Sequence, residues 1–187
     1  MTETPTTTTR LHCACKRVQL EVDREPILAA ECHCTSCRTA GAKLQTLAGA
    51  PPLLEGNGGT DFVLYRKDRV RFVAGAELLE AFRLTPKSGT RRVVAGCCNT
   101  PMFLEFQKGH WLSVYARRWP AATRPAMEVR TMTSDMPDAS VLSNDIPNSK
   151  RQPLAFMAKL IGAWIGMRFR VPKISVTKTI DASAFER

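Results

Sequence analysis

With 187 residues, of which 44% are hydrophobic and 24% charged, the chain suits one folded domain of ordinary size, and wholesale disorder is excluded. Its 27 basic and 17 acidic side chains give a net charge of +10, which favours an anionic partner without identifying one. The seven cysteines are an odd number, so they cannot all be paired within the chain as disulfides. They also stand in three tight groups, and grouped thiols in a chain of this length are typical of metal binding.

The first ten residues are polar and rich in threonine, with no apolar stretch like that of a secretory signal. We predict that residues 1–10 form a disordered tail. Without an export signal we expect the protein in the reducing cytoplasm, where thiolates remain available to metal ions.

Short alternating apolar segments dominate the part of the chain that follows. Val18, Leu20 and Val22 alternate with polar residues, which indicates a half-buried strand. Such segments recur about every 8–12 residues between turns, and this predicts a mainly β, antiparallel domain over residues 11–119. No helix of good length is expected between Arg10 and Trp119. The expected strands are Arg17–Asp23, Phe62–Tyr65, Val70–Val73, Leu78–Leu84, Arg92–Ala95, Met102–Phe106 and Trp111–Tyr115.

Residues 120–149 are polar and interrupted by prolines, and we interpret them as a wrapping segment or linker. Residues 150–187 form a basic C-terminal appendage with eight Lys/Arg and two Asp/Glu, a net charge of +6. Within it, Leu154 to Met167 predicts an amphipathic helix that is too short to cross a bilayer, which needs about 20 apolar residues.

Two interpretations of this C-terminal helix remain open. At helical spacing Leu154, Met157, Ile161, Trp164 and Ile165 share one face, which would pack on the body of the protein or in a homodimer. Alternatively, the helix lies on an anionic membrane surface through residues 150–173. The cations available for this are Arg151, Lys159, Arg168, Arg170 and Lys173.

Three thiols lie within six residues at Cys32, Cys34 and Cys37. Side chains two apart in an extended strand point the same way, and a C-x-x-C step turns back, so three sulfurs can converge on one ion. Zinc is the expected metal for thiolates in a reducing compartment. The fourth coordination position is either open, as in reactive zinc sites, or closed by a distant residue, as in structural ones.

A second set of thiols consists of Cys13 and Cys15, before the first strand, and Cys97 and Cys98, more than eighty residues later. One pair from each place would close a four-sulfur site and contribute folding energy directly. Neighbouring side chains in an extended chain diverge, so Cys97 is either a ligand or a buried thiol beside one.

The motifs H-C-A-C at His12–Cys15, C-H-C-T-S-C-R at Cys32–Arg38 and C-C-N-T-P-M-F from Cys97 resemble the glutathione-dependent formaldehyde-activating enzyme family, which includes the centromere protein V type. The resemblance covers roughly residues 11–107. It implies a tent-like fold of bent antiparallel sheets with two zinc ions. One ion would be catalytic, on Cys32, Cys34 and Cys37, and the other structural, on Cys13, Cys15 and Cys98.

The chain departs from the family pattern at its structural zinc motifs. Ala95 stands where the late motif has its first cysteine, and Cys97 or His12 is available to replace it. Two family glycines are Lys16 and Asn99 here; asparagine tolerates a positive φ better than most residues, and lysine does not.

The resemblance implies a zinc-dependent carbon–sulfur lyase that handles an adduct of a thiol such as glutathione with a small aldehyde. Arg38 would face a substrate carboxylate or remain a surface residue, and His33 would point away from the metal. The alternative is a non-catalytic zinc-stabilised module that binds an acidic partner. Nucleic acid is disfavoured, because the cysteine spacing is not that of a DNA-reading finger and few aromatic side chains are available for stacking.

Overall fold

Short strands dominate the computed structural model of the protein, which describes residues 7–180 and 182–185. Two α-helices lie in these residues, α1 (Thr35–Gln45) and α2 (Leu154–Gly166). The strands are β1 (Thr8–His12), β2 (Gln19–Asp23), β3 (Leu28–Cys32), β4 (Thr60–Arg66), β5 (Val70–Ala74), β6 (Leu79–Phe82), β7 (Thr90–Ala95), β8 (Thr100–Phe106), β9 (Trp111–Tyr115), β10 (Val129–Thr131) and β11 (Lys178–Thr179). Short 3-10 helices cover Lys67–Arg69, Ala76–Leu78, Ala116–Arg118, Ala121–Thr123, Thr133–Asp135 and Ala182–Phe185.

The strands form two sheets. Three strands pair in the order β1-β2-β5, and eight pair in the order β10-β3-β4-β9-β8-β7-β6-β11. Pairing is antiparallel except at the two edges of the large sheet, where the short strands β10 and β11 run parallel to β3 and β6. The mainly β prediction is therefore confirmed, and all seven predicted strands are present within a few residues of their expected bounds.

The large sheet separates two apolar cores. Along β4, Val63 and Tyr65 pack with Leu20 of the small sheet, while Phe62 and Leu64 pack with the helices on the other face. This alternation is the two-residue period of a strand that is covered on both sides. The molecule thus has three layers in its described part: the small sheet, the large sheet, and the two helices.

Helix α1 was not expected, and its presence corrects the prediction that residues 10–119 hold no helix of good length. Its sequence, TSCRTAGAKLQ, has few large apolar residues, and only Leu44 among them is fully buried. Small residues allow the close approach to the chain that follows, since a Cβ at Gly41 would lie 2.3 Å from Leu54. Strand β3 was also missed, because its Leu-Ala-Ala-Glu-Cys sequence lacks the β-branched and aromatic residues typical of strands.

Part of the predicted disordered tail is a strand. Residues 1–6 lie outside the described residues, but β1 starts at Thr8, and its hydroxyl donates a hydrogen bond to Asp23 at 2.6 Å. Pairing with β2 and the complete burial of Leu11 hold this polar segment in place. Cross-strand pairing therefore outweighs the polar composition of residues 8–10.

The segment from 120 to 149 contributes β10 to the edge of the large sheet. Arg130 of β10 donates to Glu31 of β3 at 2.7 Å, and its Nη1 also contacts Asp145 at 2.8 Å. The segment therefore wraps against the β domain at this point.

Helix α2 has nearly the predicted bounds, but only part of the predicted face makes the contact. Leu160 and Met167 are buried and Phe156 is half-buried. Of the predicted face, Met157 lines a cavity and Trp164 contacts His110, which precedes β9, whereas Leu154, Ile161 and Ile165 are exposed. His110 Nε2 lies 2.9 Å from the Leu160 carbonyl oxygen, and the His110 ring stacks on Trp164. No helix in the described residues is long and apolar enough to cross a membrane.

Candidate metal centres

All seven cysteines fall into two separate clusters, and within each cluster the sulfur atoms lie within 4.8 Å of one another. The four-cysteine cluster contains Cys13, Cys15, Cys97 and Cys98. The first two lie in the turn after β1, and the other two lie in the turn between β7 and β8. The cluster therefore joins the small sheet to the large one.

The sulfur separations in the four-cysteine cluster suit a tetrahedral ion. Cys13 Sγ lies 3.6 Å from Cys15 Sγ and 3.8 Å from Cys97 Sγ, and Cys97 Sγ lies 3.3 Å from Cys15 Sγ and 3.9 Å from Cys98 Sγ. Zinc–sulfur bonds of about 2.3 Å in a tetrahedron place the sulfurs about 3.8 Å apart. The donor set therefore fits zinc, and Cys97 occupies a ligand position. His12 is not in this cluster, and its Nδ1 lies 2.9 Å from the Cys13 carbonyl oxygen.

Both turns of the four-cysteine cluster contain a left-handed residue. Lys16 has φ of 63° and Asn99 has φ of 53°, and these are the positions where the resembled family has glycine. Lys16 N donates to the Cys13 carbonyl oxygen, and Cys98 N donates to the Ala95 carbonyl oxygen, so each turn folds back tightly on itself. The left-handed backbone conformation that favours glycine is thus retained, although the residues themselves are lysine and asparagine.

Cationic side chains surround the four-cysteine cluster. Arg17 donates to the Cys97 carbonyl oxygen at 3.1 Å, and burial lowers the pKa of Arg118, which lies near Cys13 and Cys98. Four thiolates around one divalent cation would carry a formal charge of −2. Two nearby guanidinium groups offset that charge.

The three-cysteine cluster lies where β3 meets α1. Cys32 ends β3, Cys34 is the N-cap of α1, and Cys37 lies in its first turn. The Cys37 backbone N–H donates to Cys34 Sγ at 3.3 Å, which is the bond that a capping serine or aspartate usually accepts. Hydrogen bonds from the Cys32 and Cys37 thiols hold the pKa of Cys34 far below its usual range. The backbone N–H of Cys37 adds to this lowering, so a thiolate is favoured at Cys34.

No fourth His, Cys, Asp or Glu side chain joins the three-cysteine cluster among residues 7–180 and 182–185. All three cysteines line a cavity of about 410 Å³, whose walls come from the large sheet and from both helices. The donor set suits zinc with three protein ligands and one position that faces this cavity. Of the two arrangements that the sequence left open, the described residues therefore favour the open one.

Apolar side chains form most of the wall of this cavity. The sheet contributes Phe62, Leu64, Leu104 and Trp111, and α2 contributes Phe156, Met157 and Leu160. Arg92 of β7 also lines it and is fully buried. Its Nη2 donates to the Ser36 hydroxyl at 2.8 Å and to the Ser36 carbonyl oxygen at 3.1 Å, and its Nη1 donates to Thr90 Oγ1 at 3.2 Å.

The structure places the other two predicted site residues away from the cavity. Arg38 donates from Nη1 to the Asp135 carbonyl oxygen at 3.1 Å and does not line the cavity, so its position does not support contact with a substrate carboxylate. His33 is not part of the cysteine cluster, as expected, and it is fully buried. Its Nε2 lies 3.0 Å from Glu31 Oε1.

The Glu31 carboxylate behind the three-cysteine cluster is held ionised. Burial opposes the charge, but hydrogen bonds from His33 and Asn57 keep its pKa below the ordinary value. Arg130 pairs with its second oxygen at 2.7 Å. This network anchors the residue that precedes Cys32.

Sequence reasoning missed Arg92 and the α2 wall. Arg92 is the first residue of the predicted strand Arg92–Ala95, where a charged side chain is usually solvated. Nothing in the local sequence therefore indicates that it is buried beside the cavity. The approach of α2 to the cavity is a contact between segments more than a hundred residues apart.

Comparison with known proteins supports the cysteine motifs over part of the chain. The family model of the glutathione-dependent formaldehyde-activating enzyme matches residues 8–52. This match confirms the resemblance for the segment that holds Cys13, Cys15 and the three-cysteine cluster, which is shorter than the expected 11–107. A crystal structure of a Rhodobacter sphaeroides protein, solved as a structural genomics target, aligns with 75% of this chain and 99% of its own at 15% identity and a TM-score of 0.45. No curated protein matches the sequence significantly.

Proposed function

We propose that this chain, whose N-terminal segment has the cysteine pattern of glutathione-dependent formaldehyde-activating enzymes, acts on the adduct of a thiol with an aldehyde. One observation carries the proposal: three cysteines without a fourth side-chain ligand in the described residues line a cavity large enough for a small ligand. Ligand sites in proteins commonly enclose about 300–1,000 Å³. The four-cysteine cluster would serve as the structural zinc site.

The reaction would be the reversible addition of a thiol to an aldehyde. The thiol sulfur bonds to the carbonyl carbon, the carbon–oxygen double bond becomes a single bond, and the thiol proton passes to the oxygen. No electrons are gained or lost. A zinc ion bound by Cys32, Cys34 and Cys37 would lower the pKa of a thiol or polarise a carbonyl group.

Residues of the chain would set the electrostatics of this site. Three thiolates with one divalent cation carry a formal charge of −1, and buried Arg92 lies in the same cavity wall. This cation offsets the site charge and is available to an anionic group of the substrate. The apolar wall excludes water from the reacting atoms, which strengthens these interactions.

The test measures exchange between an aldehyde, a thiol and their adduct by magnetisation-transfer NMR with the zinc-loaded protein, once with formaldehyde and glutathione and once with octanal and the uncharged thiol 2-mercaptoethanol. We expect faster exchange with wild-type protein and a loss of at least about tenfold in Cys34→Ser. Val141→Ser is the control, because Val141 is 64% exposed and belongs to neither cysteine cluster. Exchange that is equally fast in Cys34→Ser, or no faster with wild type than without protein, would refute the proposed activity.

A further inference from the structure

The cavity beside Cys32, Cys34 and Cys37 is much less polar than glutathione. Glutathione carries two carboxylates and one ammonium group at neutral pH. Among the described residues that line the cavity, Arg92 is the single lysine, arginine, aspartate or glutamate. A ligand with several charges would leave most of them without partners, and burying an unpaired charge is strongly unfavourable.

The apolar wall of the cavity is formed by side chains from two separate layers of the fold, the large sheet and α2. Phe62 and Leu104 come from the central strands, and Phe156 and Leu160 reach across from α2. Leu160 is 4% exposed and Phe156 is half-buried, and both side chains line the cavity.

We infer that the cavity takes a ligand with an apolar body of about medium-chain length and at most one anionic group, which would lie near Arg92. This inference rests on the proposed function in that the reacting carbon would lie at the three-cysteine cluster. Among the thiol–aldehyde adducts of the proposed function, the inference favours those whose aldehyde is apolar. The addition step itself is unchanged: one S–C bond forms, the carbonyl π bond breaks, and the thiol proton passes to oxygen.

The experiment compares octanoate, acetate and glutathione as non-reacting ligands of the zinc-loaded protein by calorimetry. Each buried methylene strengthens binding about fourfold, so we expect octanoate to bind at least about 30-fold more tightly than acetate. Phe156→Gln should weaken octanoate binding at least about fivefold. Leu154→Gln is the matched control, because Leu154 lies on the same helix and is 89% exposed, and it should bind octanoate like wild type.

The outcomes separate this inference from the proposed activity. Octanoate that binds no more tightly than acetate, or equally well to Phe156→Gln, overturns the apolar cavity even if formaldehyde exchange is observed. Tight octanoate binding with no thiol–aldehyde exchange supports the cavity and refutes the activity alone.

A different observation concerns the outer face of α2. Leu154, Ile161 and Ile165 follow helical spacing on this face, and they are 89%, 52% and 55% exposed. Phe169 directly after the helix is 62% exposed. A helix that is apolar on its buried and its outer faces normally has a partner on both.

Charge identifies the kind of partner. The sequence from 146 to 180 has seven Lys/Arg and no Asp/Glu, and Arg151, Arg168, Arg170 and Lys173 are exposed in it. An apolar helix face flanked by cations matches the surface of an anionic bilayer, where apolar side chains enter the interface and cations meet the headgroups. We propose that α2 docks on anionic lipid in this way, parallel to the membrane.

Co-sedimentation with phosphatidylcholine vesicles, with and without 30% phosphatidylserine, tests this docking. We expect pelleting with the anionic vesicles, reduced at high salt, and at least about fivefold weaker in Ile161→Glu. Val141→Glu is the control, because Val141 is 64% exposed outside α2. Equal pelleting of Ile161→Glu, or none by wild type, overturns the proposal. A dimer in solution that Ile161→Glu dissociates would also overturn it, since the face would then belong to a second copy.

Discussion

Arg92 Nη2 donates hydrogen bonds to the side-chain hydroxyl and to the backbone carbonyl oxygen of Ser36, at 2.8 and 3.1 Å. Ser36 lies between Cys34 and Cys37 in the first turn of α1. A buried cation of the large sheet is thereby tied to the turn that presents the three-cysteine cluster. The two contacts fix where the cluster lies relative to the cavity.

Replacing Arg92 should weaken both the fold and the metal site. Arg92→Met removes the charge and the bonds to Ser36 and Thr90, so we expect the free energy of unfolding to fall by about 2–4 kcal/mol. Zinc affinity at the three-cysteine cluster should fall as well. Denaturant unfolding and chelator competition measure the two effects. Arg92→Lys keeps the charge, so its stability and its zinc affinity should lie between those of wild type and Arg92→Met. If both variants lose as much, the hydrogen bonds of the guanidinium group and not its charge would account for the effect.

Removing one thiol from either cluster should have different consequences for stability. Wild-type protein should bind two zinc ions per chain, and both Cys97→Ser and Cys34→Ser should retain one. Because the four-cysteine cluster joins turns more than eighty residues apart, Cys97→Ser should also lower the free energy of unfolding by at least about 3 kcal/mol. Metal analysis and denaturant unfolding test this. Two bound ions in Cys97→Ser would exclude Cys97 as a ligand.

Lys16 occupies a backbone conformation that glycine adopts at little cost. Its φ is 63°, and a residue with a Cβ is disfavoured there by about 1 kcal/mol. Lys16→Gly should therefore raise the free energy of unfolding by about 1 kcal/mol, as measured by urea denaturation. Lys16→Ala keeps a Cβ and should show no such gain; an equal gain in both variants would point to the lysine charge instead.

His110 should control how firmly α2 is held. His110→Phe keeps a ring against Trp164 but removes the contact with the Leu160 carbonyl oxygen, so amide exchange over residues 154–167 should rise about fivefold to tenfold. Burial lowers the pKa of His110, with Lys67 and Arg66 nearby. The contribution of His110 to stability should therefore fall as pH drops below about 6.5, because the unfolded chain takes up the proton more readily; it is measured as the difference between wild type and His110→Phe at each pH. A difference that does not change with pH would contradict this.

Asp61 should destabilise the protein at neutral pH. Burial, together with Glu55 and Glu31, raises its pKa to about 6, while Arg124 and Arg117 act in the opposite direction. The folded-state pKa lies above that of the unfolded chain, so the cost of ionisation develops between about pH 4 and 6 and is complete above pH 6. Asp61→Asn should be more stable than wild type by about 1–3 kcal/mol at pH 7.5 and equally stable at pH 3.5. Urea denaturation at both pH values checks this; equal stability at pH 7.5 would show that the buried charge is compensated.

Sequence patterns predicted well wherever the signal was local. The alternation of apolar and polar residues over Val18–Val22 predicted a strand correctly, because the apolar side chains of that strand face one core. Local spacing predicted the three-cysteine cluster, whereas the four-cysteine cluster was predicted by joining two pairs that lie more than eighty residues apart. Helix α1 escaped prediction because its buried residues are mostly small, and Cys34 is an unusual N-cap.

Contacts between distant segments could not be predicted in this way. The outer face of α2 and its packed face are both apolar, so the sequence did not show that Leu160 and Met167 would be the most deeply buried residues of this segment. Leu160, whose carbonyl oxygen lies 2.9 Å from His110 Nε2, packs in the core on the helix-covered face of the large sheet, and that surface exists only after the sheet has formed.

By itself, then, the sequence determined the mainly β fold, the grouping of the thiols and the basic character of the C-terminal appendage, since each follows from composition or from spacing along the chain. Only the tertiary structure decided that Cys97 completes a four-sulfur site, that Arg92 rather than Arg38 lines the cavity, and that α2 closes one side of it. Those facts depend on which surfaces meet when the sheets and helices pack. The physical reason is that packing selects among faces that the sequence leaves equivalent.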